Sequence, residues 1–268
     1  MIEFWRAVLL GVVQGVTEFL PISSSGHLML IHKGLGWAEY GLAYDVVLHL
    51  ATLLAVAIYF RTDITNITKA FFSKDAERAD DRKLAWLVVI ATAVTAIIAA
   101  PFSGVIDRAF SSLRWIGAFF LLTSAALVSA ELLSRKQMHS LNALTWQKAV
   151  LVGLAQAVAL FPGVSRAGAT IVGGLGVGLD REQATRFSFL MSGPIILLAG
   201  AKTAYDAFVD PQPFIGMPAA IAGSVVAFVA AYLSIAGLLA FVKRYPLYIF
   251  AVYTGILGVV TLVWQMSA

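Results

Sequence analysis

Two short polar stretches interrupt the apolar sequence of this chain, and they resemble each other. The first is Gln14-Gly-Val-Thr-Glu18-Phe-Leu-Pro21-Ile-Ser-Ser24-Ser-Gly-His27, and the second is Gln156-Ala-Val-Ala-Leu-Phe-Pro162-Gly-Val-Ser165-Arg166-Ala-Gly-Ala-Thr170. Each runs from an apolar segment, through a proline, into a serine- and glycine-rich stretch typical of a helix start. Ionisable residues inside apolar segments are costly and mark functional sites. Interrupted segments at corresponding positions of two halves indicate a transporter-like fold with a site at membrane mid-depth.

The composition is that of a polytopic membrane protein. Hydrophobic residues make up 60% of the chain and charged residues only 13%, whereas a soluble domain carries about 25% charged residues. The chain has no cysteine, which excludes disulfides, thiol catalysis and cysteine-ligated metals. The net charge of +4 fits basic loops beside a membrane, so no nucleic-acid partner is expected.

The apolar runs predict six transmembrane helices. A helix needs about 20 residues to cross about 30 Å of hydrocarbon, and the candidate spans are roughly 43–60, 83–101, 113–133, 184–203, 217–241 and 247–265. Two further apolar regions, 3–36 and 146–178, are each split by a polar stretch. We interpret them as re-entrant helical hairpins, which enter and leave on the same side. The predicted fold is an all-α membrane protein with one domain, residues 1–268.

The order of these segments predicts an inverted-topology repeat. A hairpin followed by three spans occurs twice, in residues 1–135 and 146–268, at an offset of about 141 residues. Because each repeat contains an odd number of spans, the second copy must be inverted in the membrane. Chance similarity between apolar segments is the alternative interpretation.

The basic residues predict the orientation. The arrangement above puts thirteen of them on one side: Arg61, Lys69, Lys74, Arg78, Arg82, Lys83, Arg135, Lys136, Lys148, Arg181, Arg186, Lys243 and Arg244. The other side holds Arg6, Lys33, Arg108, Arg114 and Lys202. Because cytoplasmic loops are enriched in lysine and arginine, the first set is predicted to be cytoplasmic. Both termini then face outward, the first hairpin enters from outside, and the second enters from the cytoplasm.

The first polar stretch offers groups for cation and anion binding. Gln14 and Glu18 are four residues apart and share one helix face, and their amide and carboxylate oxygens suit Mg²⁺ or Ca²⁺. Glu18 can instead act as a general base, and Gln14 can instead form a hydrogen bond between helices. The helix start after Pro21 contributes free backbone N–H groups, which form an anion site. Its residues are Ser23, Ser24, Ser25, Gly26 and His27.

The second polar stretch adds a cation that matches phosphate geometry. Gly163 permits a tight turn, Ser165 can cap the helix, and Arg166 carries a planar fork of donors. Thr170 lies one helical turn beyond Arg166. If the two hairpins meet tip to tip, two helix N-termini and Arg166 face one anion beside Glu18 and His27, as phosphoryl transfer requires.

A weaker candidate pair lies in the first span. Asp45 and His49 share one helix face there, and Arg186 falls opposite Asp45 when the repeats are aligned. An ion pair between the repeats is the alternative to a catalytic role for these residues.

At these residues the chain resembles the bacterial undecaprenyl-diphosphate phosphatase family of the bacitracin-resistance type, over nearly its whole length. The family's first motif begins with Glu or Gln, which is Gln14 here, and the family often has Ser where this chain has Ala167. The resemblance implies hydrolysis of undecaprenyl diphosphate to undecaprenyl phosphate and phosphate, which recycles the lipid carrier of peptidoglycan synthesis. It also implies a divalent cation, a homodimer, and a multi-pass protein of the bacterial inner membrane whose active site faces the periplasm.

The resemblance also assigns roles to residues. The functional set carried over is Glu18, Ser24, His27, Ser165, Arg166 and Thr170. Ser24 is the expected nucleophile, with Glu18 or His27 as its base, and direct attack by His27 is the competing assignment. Arg166 and the helix starts around Ser23, Ser25, Gly26 and Gly163 are expected to bind the diphosphate.

Two other classes of function remain open at the level of sequence. Inverted repeats with mid-membrane hairpins also form carriers, so the chain can be a carrier or flippase for a lipid phosphate or another anion. A carrier needs the anion site but no nucleophile. A non-catalytic membrane scaffold is the third class, and the clustered ionisable groups argue against it.

Overall fold

The structure is a computed structural model that describes residues 1–37, 41–110, 112–134, 140–209 and 215–267. Its regular structure is helical, and no β-strand forms within these ranges. We number the α-helices in chain order: α1 Ile2–Phe19, α2 Ser24–Leu35, α3 Gly41–Tyr59, α4 Arg61–Phe72, α5 Ala79–Phe110, α6 Leu113–Ser134, α7 Trp146–Val158, α8 Arg166–Gly176, α9 Arg181–Val209, α10 Met217–Val242 and α11 Tyr248–Ser267.

Five helices in the described ranges are long and apolar enough to cross a membrane. The membrane-like segments are Ala76–Phe102, Leu113–Leu132, Arg181–Lys202, Met217–Val242 and Tyr248–Ser267. They overlap the predicted spans 83–101, 113–133, 184–203, 217–241 and 247–265. The chain is therefore an integral membrane protein, as its composition predicts.

The remaining predicted span, 43–60, corresponds to α3. The chain bends by 82° between α3 and α4, and only together are the two helices long and apolar enough to cross a membrane. Arg61 opens α4, and Asp63 lies in its first turn. The hydropathy therefore falls at the bend, where the chain turns away from the direction of α3.

Both polar stretches form the turns of helical hairpins. Trp37, just after α2, lies under the guanidinium of Arg6 near the start of α1, at 5.0 Å from the ring centroid. The beginning of α1 and the end of α2 therefore lie at the same end of the bundle. In the second hairpin, α7 packs against α8.

The predicted helix starts are confirmed at both turns. The Ser23 side chain caps α2 by accepting a hydrogen bond from the backbone N–H of Gly26 at 3.4 Å. Ser165 caps α8 in the same way, with Gly168 as the donor at 3.0 Å. Serine is favoured at this position because its hydroxyl satisfies an N–H group that the helix leaves free.

Glycine lets the first helix of each hairpin pack closely against a long span. Helix α1 lies along α10, and α7 lies along α5. A Cβ at Gly11 would be 2.3 Å from the carbonyl oxygen of Gly223, and one at Gly153 would be 2.5 Å from that of Ala91. Both distances are far below van der Waals contact, so these crossings require glycine.

The two most basic loops meet at one end of the bundle. Lys83 donates a hydrogen bond to the carbonyl oxygen of Asn142 at 2.7 Å, and the Asn142 amide donates to Asp80 at 3.1 Å. An ion pair between Arg186 and Asp63 joins the start of α9 to α4 at the same end. Arg135 and Lys136, which belong to the predicted cytoplasmic set of basic residues, lie outside the described residues.

Candidate active site

Glu18 lies at the centre of a buried hydrogen-bond network. Its Oε2 atom accepts hydrogen bonds from the Gln14 amide at 3.0 Å and from the Ser24 hydroxyl at 2.5 Å. Gln14 and Glu18 therefore share the inner face of α1, as their spacing predicts. The carboxylate also lies where it can accept the proton of the Ser24 hydroxyl.

An ion pair connects the two motifs. Arg166 Nη2 donates to Glu18 Oε1 at 2.5 Å, and the guanidinium lies 5.8 Å from the centroid of the Phe19 ring. The buried Nη1 atom of Arg166 has no hydrogen-bond partner among the described residues. Arg166 therefore keeps buried donor capacity for a further acceptor, such as a phosphate oxygen.

The tips of the two hairpins are bonded to each other. Ser23 Oγ accepts from the backbone N–H of Gly163 at 3.2 Å. From α6, Thr123 Oγ1 donates to the Gly163 carbonyl at 3.1 Å and accepts from the Ser165 N–H at 3.2 Å. Gly163 has φ +99°, and a Cβ there would lie 2.5 Å from the Ile116 carbonyl oxygen, so glycine is required for this approach.

A cavity of about 290 Å³ opens beside these groups. Its polar lining residues are Glu18, Ser23, Ser24, Ser25, Asp45, His49, Ser165 and Arg166. Most of the remaining wall is apolar and comes mainly from α2, α3 and α9. The cavity thus combines a hydroxyl, a carboxylate and a guanidinium in one largely apolar space.

The sequence matches a known family over nearly its whole length. The family described as "Bacitracin resistance protein BacA" matches residues 7–260. The chain belongs to the BacA family.

Relatives in the BacA family that resemble this chain carry the name undecaprenyl-diphosphatase. The protein of Methanosphaera stadtmanae is 37% identical over an alignment of 277 positions, gaps included, that covers 98% of each chain. Undecaprenyl-diphosphatase 2 of Stutzerimonas stutzeri is 41% identical over 96% of this chain and 97% of its own length. The protein of Alteromonas mediterranea is 40% identical over 98% and 99%, respectively.

His27 points away from the cavity of this BacA-family chain. Its Nδ1 lies 2.7 Å from the Ser23 carbonyl oxygen and its Nε2 lies 2.7 Å from the Tyr253 hydroxyl. Nδ1 must carry the proton to bond a carbonyl, so Nε2 accepts from Tyr253. The imidazole also packs edge-on against Phe120. His27 is therefore not among the residues that line the cavity with Ser24.

Thr170 also lies outside the cavity lining. Its hydroxyl donates to the Arg166 carbonyl at 2.8 Å and lies 2.6 Å from the Ser188 hydroxyl, so it links α8 to α9. Gly26 and Gly163 lie where the two hairpins contact each other. A Cβ at Gly26 would be 2.5 Å from the Phe120 ring. These three residues support the geometry of Arg166 and Ser24 without lining the cavity.

His49 lies closer to Glu18 than its place in the weaker candidate pair predicts. Its Nε2 lies 3.5 Å from Glu18 Oε2, and its Nδ1 is 2.7 Å from the Asp45 carbonyl oxygen. Asp45 lines the same cavity and lies 3.4 Å from His32 Nε2. The available signal was an Asp and a His one turn apart inside a predicted span. The alternative, an Asp45–Arg186 ion pair, is wrong because Arg186 pairs with Asp63.

The groups around Glu18 fit one hard cation with few protein ligands. Within the described ranges, no three His, Cys, Asp or Glu side chains cluster around a common point. The buried Oε1 of Gln14 has no hydrogen-bond partner among the described residues, and the amide nitrogen of the same side chain donates to Glu18. An amide oxygen, a carboxylate and a hydroxyl are ligands of the type Mg²⁺ accepts when water and phosphate complete its shell.

Replacement of Thr123 by Val should destabilise the hairpin contact. The change leaves the buried Gly163 carbonyl and Ser165 N–H without their partner, which costs about 1–3 kcal/mol. Thermal unfolding in detergent measures the loss. Thr261→Val is the matched control, because Thr261 is equally buried but bonds only the Leu257 carbonyl of its own helix. Equal melting temperatures of the two variants would contradict the assignment.

Proposed function

We propose that this chain is a membrane phosphatase that hydrolyses undecaprenyl diphosphate to undecaprenyl phosphate and inorganic phosphate. The names of its full-length relatives support this activity. The observation that carries it is the Ser24 hydroxyl bonded at 2.5 Å to the Glu18 carboxylate, with Arg166 paired to the same carboxylate. In this role the protein recycles the lipid carrier of cell-wall synthesis, and the family name connects that role with bacitracin resistance.

The first chemical step forms a phosphoserine. Ser24 Oγ attacks the terminal phosphorus while its proton passes to Glu18 Oε2. The anhydride P–O bond breaks, and its electron pair leaves with undecaprenyl phosphate. Arg166 and the N-terminus of α2 bind the phosphate oxygens, where donors fixed in advance stabilise the charge of the transition state.

The second step hydrolyses the phosphoserine. After Glu18 has released its proton to solvent, it takes a proton from the attacking water. It returns this proton to Ser24 Oγ as the serine–phosphate bond breaks, and inorganic phosphate leaves. His49 faces the same carboxylate oxygen from α3, so we assign it the role of holding Glu18 in position.

The hydrogen bonds of His27 support serine rather than histidine as the nucleophile. A nucleophilic imidazole needs a free nitrogen lone pair facing the substrate. The Nε2 lone pair of His27 faces Tyr253 instead. We therefore assign His27 a positioning role, in which its Nδ1 holds the Ser23 backbone next to the nucleophile.

We also propose a divalent cation, Mg²⁺ or Ca²⁺, that binds mainly together with the substrate. Glu18 and Gln14 would hold it, and it would neutralise charge on the diphosphate. Glu18 already pairs with Arg166, so one shared carboxylate should bind the cation weakly until phosphate oxygens complete the shell.

The arrangement in the membrane is proposed as an inverted repeat with two re-entrant hairpins and six spans, counting α3 with α4. The crossed packing supports it, because α1 lies along α10 and α7 lies along α5. The two basic loops lie at the same end of the bundle. Because cytoplasmic loops are enriched in lysine and arginine, this supports a cytoplasmic position for that end. The active site would then face the periplasm across the bacterial inner membrane. A homodimer is the proposed assembly, which chemical cross-linking in membranes tests.

The competing function is a carrier for a lipid phosphate, which would use the cavity without chemistry. Release of phosphate from undecaprenyl diphosphate by the purified protein separates the two functions. A phosphatase releases phosphate in detergent, whereas a carrier only moves the lipid between leaflets. Protein that binds undecaprenyl phosphate but releases no phosphate would favour the carrier.

Replacement of Ser24 by Ala should remove nearly all turnover, a loss of about a thousandfold or more, because the covalent step is lost. The β-phosphate of labelled substrate should appear on wild-type Ser24 and be absent from the variant. Ser224→Ala is the control, since Ser224 lies on α10 outside the cavity lining and donates to the Ala220 carbonyl of its own helix. Retention of more than about a tenth of the activity in Ser24→Ala would reject the covalent mechanism.

Replacement of Arg166 by Lys should lower kcat/KM by at least about a hundredfold, or about 2.7 kcal/mol. Lysine keeps the charge but cannot donate to Glu18 and to phosphate through one planar fork. Arg181→Lys is the matched control, because Arg181 forms a bidentate pair with Glu131 away from the cavity. Near-normal kinetics of Arg166→Lys would leave this residue only a general electrostatic role.

Removal of divalent cations should abolish activity. A chelator competes with a weak site, so phosphate release should stop in chelator and return when millimolar Mg²⁺ or Ca²⁺ is added in excess. The control is thermal unfolding in chelator, which should not change. Full activity in chelator would leave Glu18 as a base only.

Reporters fused to the chain should read the proposed orientation. Reporters placed between α4 and α5, within the segment 61–83, should read cytoplasmic, because that segment carries six of the basic residues and cytoplasmic loops are enriched in them. Reporters at both termini should read external. A cytoplasmic C-terminus would contradict the inverted repeat of three spans plus three.

A further inference from the structure

A second, larger cavity lies next to the catalytic one. Its volume is about 580 Å³, and it is formed by α3, α4, α5 and α9. Thr68 is its only hydroxyl-bearing residue. The other lining residues are Leu50, Leu53, Leu54, Val56, Ala57, Ile64, Ile67, Val88, Leu190, Gly193, Pro194 and Leu197. The first cavity has the ionisable groups, and this one has none, so the two differ in chemistry.

The two cavities share a wall. Leu50 lines both of them. On α3, His49 borders the catalytic cavity and Leu53 borders the apolar one. One helical turn therefore separates the polar lining from the apolar lining. On α9, Ile196 and Gly193 border the two cavities in the same way.

The cavity exists because α9 lacks a side chain where it faces α3. A Cβ at Gly193 would meet no atom within 4 Å. Pro194 follows inside the helix, and proline removes a backbone hydrogen bond and bends a helix away from its axis. The space is therefore built into α9 by two adjacent residues.

The rim of this cavity is apolar and reaches the lipid-facing surface. The side chains of Leu54 and Leu197 are 54% and 57% exposed, although both also line the cavity. In a membrane such side chains contact lipid tails, so a hydrocarbon chain can pass between the bilayer and the cavity without crossing polar groups.

We propose that this cavity binds a stretch of the polyprenyl chain of the substrate while the diphosphate occupies the catalytic cavity. The inference rests on the proposed function and names the part of the protein that selects a long lipid. Its basis is the shared Leu50 wall, the apolar lining and the opening towards lipid. Each methylene that fills this empty apolar space gains dispersion contacts that the cavity walls otherwise lack, so the cavity should favour chains long enough to reach it.

The sharpest test fills the cavity without disturbing the helix. Gly193→Leu places a side chain in the open space beside Gly193. Gly237→Leu is the matched control, because Gly237 also lies in a long helix and a Cβ there also meets no atom within 4 Å. Its position in α10 is outside both cavities.

The readout is kcat/KM for undecaprenyl diphosphate divided by kcat/KM for the short farnesyl diphosphate. Gly193→Leu should lower this ratio by at least about tenfold, equivalent to excluding roughly two methylenes from the cavity. Gly237→Leu should keep the wild-type ratio. An unchanged ratio in an active Gly193→Leu variant would overturn the proposal. If the wild type hydrolyses neither substrate, the proposed function fails instead.

A second measurement does not depend on turnover. Because the chain has no cysteine, Leu54→Cys gives one thiol at the rim of the cavity, and Leu233→Cys gives a control thiol on exposed α10. Undecaprenyl phosphate should slow labelling of Cys at position 54 by a lipid-soluble maleimide, and inorganic phosphate should not. Equal labelling with and without the lipid phosphate, or equal protection at both positions, would overturn the proposal.

Discussion

The ion pair between Glu18 and Arg166 is the interaction on which the arrangement of this protein depends. The two residues are 148 positions apart, and each belongs to a different helical hairpin. A buried charge without its partner costs several kcal/mol. Replacement of either residue would leave the other as an unpaired buried charge and would destabilise the fold. The pair therefore fixes the hairpins relative to each other and also brings the carboxylate that accepts the Ser24 hydrogen bond next to the Arg166 guanidinium.

Broken helices in an apolar bundle impose a second constraint. The turns after α1 and α7 leave backbone N–H and C=O groups without helical partners, and no water in a bilayer core can satisfy them. Ser23 and Thr123 satisfy those around Gly163 and Ser165. Small polar side chains at the two motifs thus form hydrogen bonds with backbone groups that the broken helices leave free. The same geometry leaves the Ser24 hydroxyl free to bond Glu18.

The features that could be predicted from the sequence are local. Hydropathy is enough for the five long spans, and a proline followed by serine is enough for the starts of α2 and α8. The direction of His27 could not be predicted, because Tyr253 lies 226 residues away and the choice depends on packing against α6 and α11. The proximity of His49 to Glu18 could not be predicted for the same reason, since it depends on how α3 packs against α1.

Two buried atoms of residues that bond Glu18 lack hydrogen-bond partners within the described ranges. They are Arg166 Nη1 and Gln14 Oε1, and they differ in strength as evidence for a bound ligand. Gln156, which begins the second motif as Gln14 begins the first, also has an unpartnered Oε1, but its amide nitrogen donates to the Thr95 hydroxyl instead of to a carboxylate. An unsatisfied glutamine oxygen is therefore common to both motifs and is weak evidence for a ligand. The guanidinium donor occurs only in the second motif and lies beside the cavity. An unsatisfied buried donor on a charged group costs more than on a neutral one, and an anion in the cavity would recover that cost. In the proposed function, part of the affinity for the diphosphate would come from this donor, which has no partner within the described part of the chain.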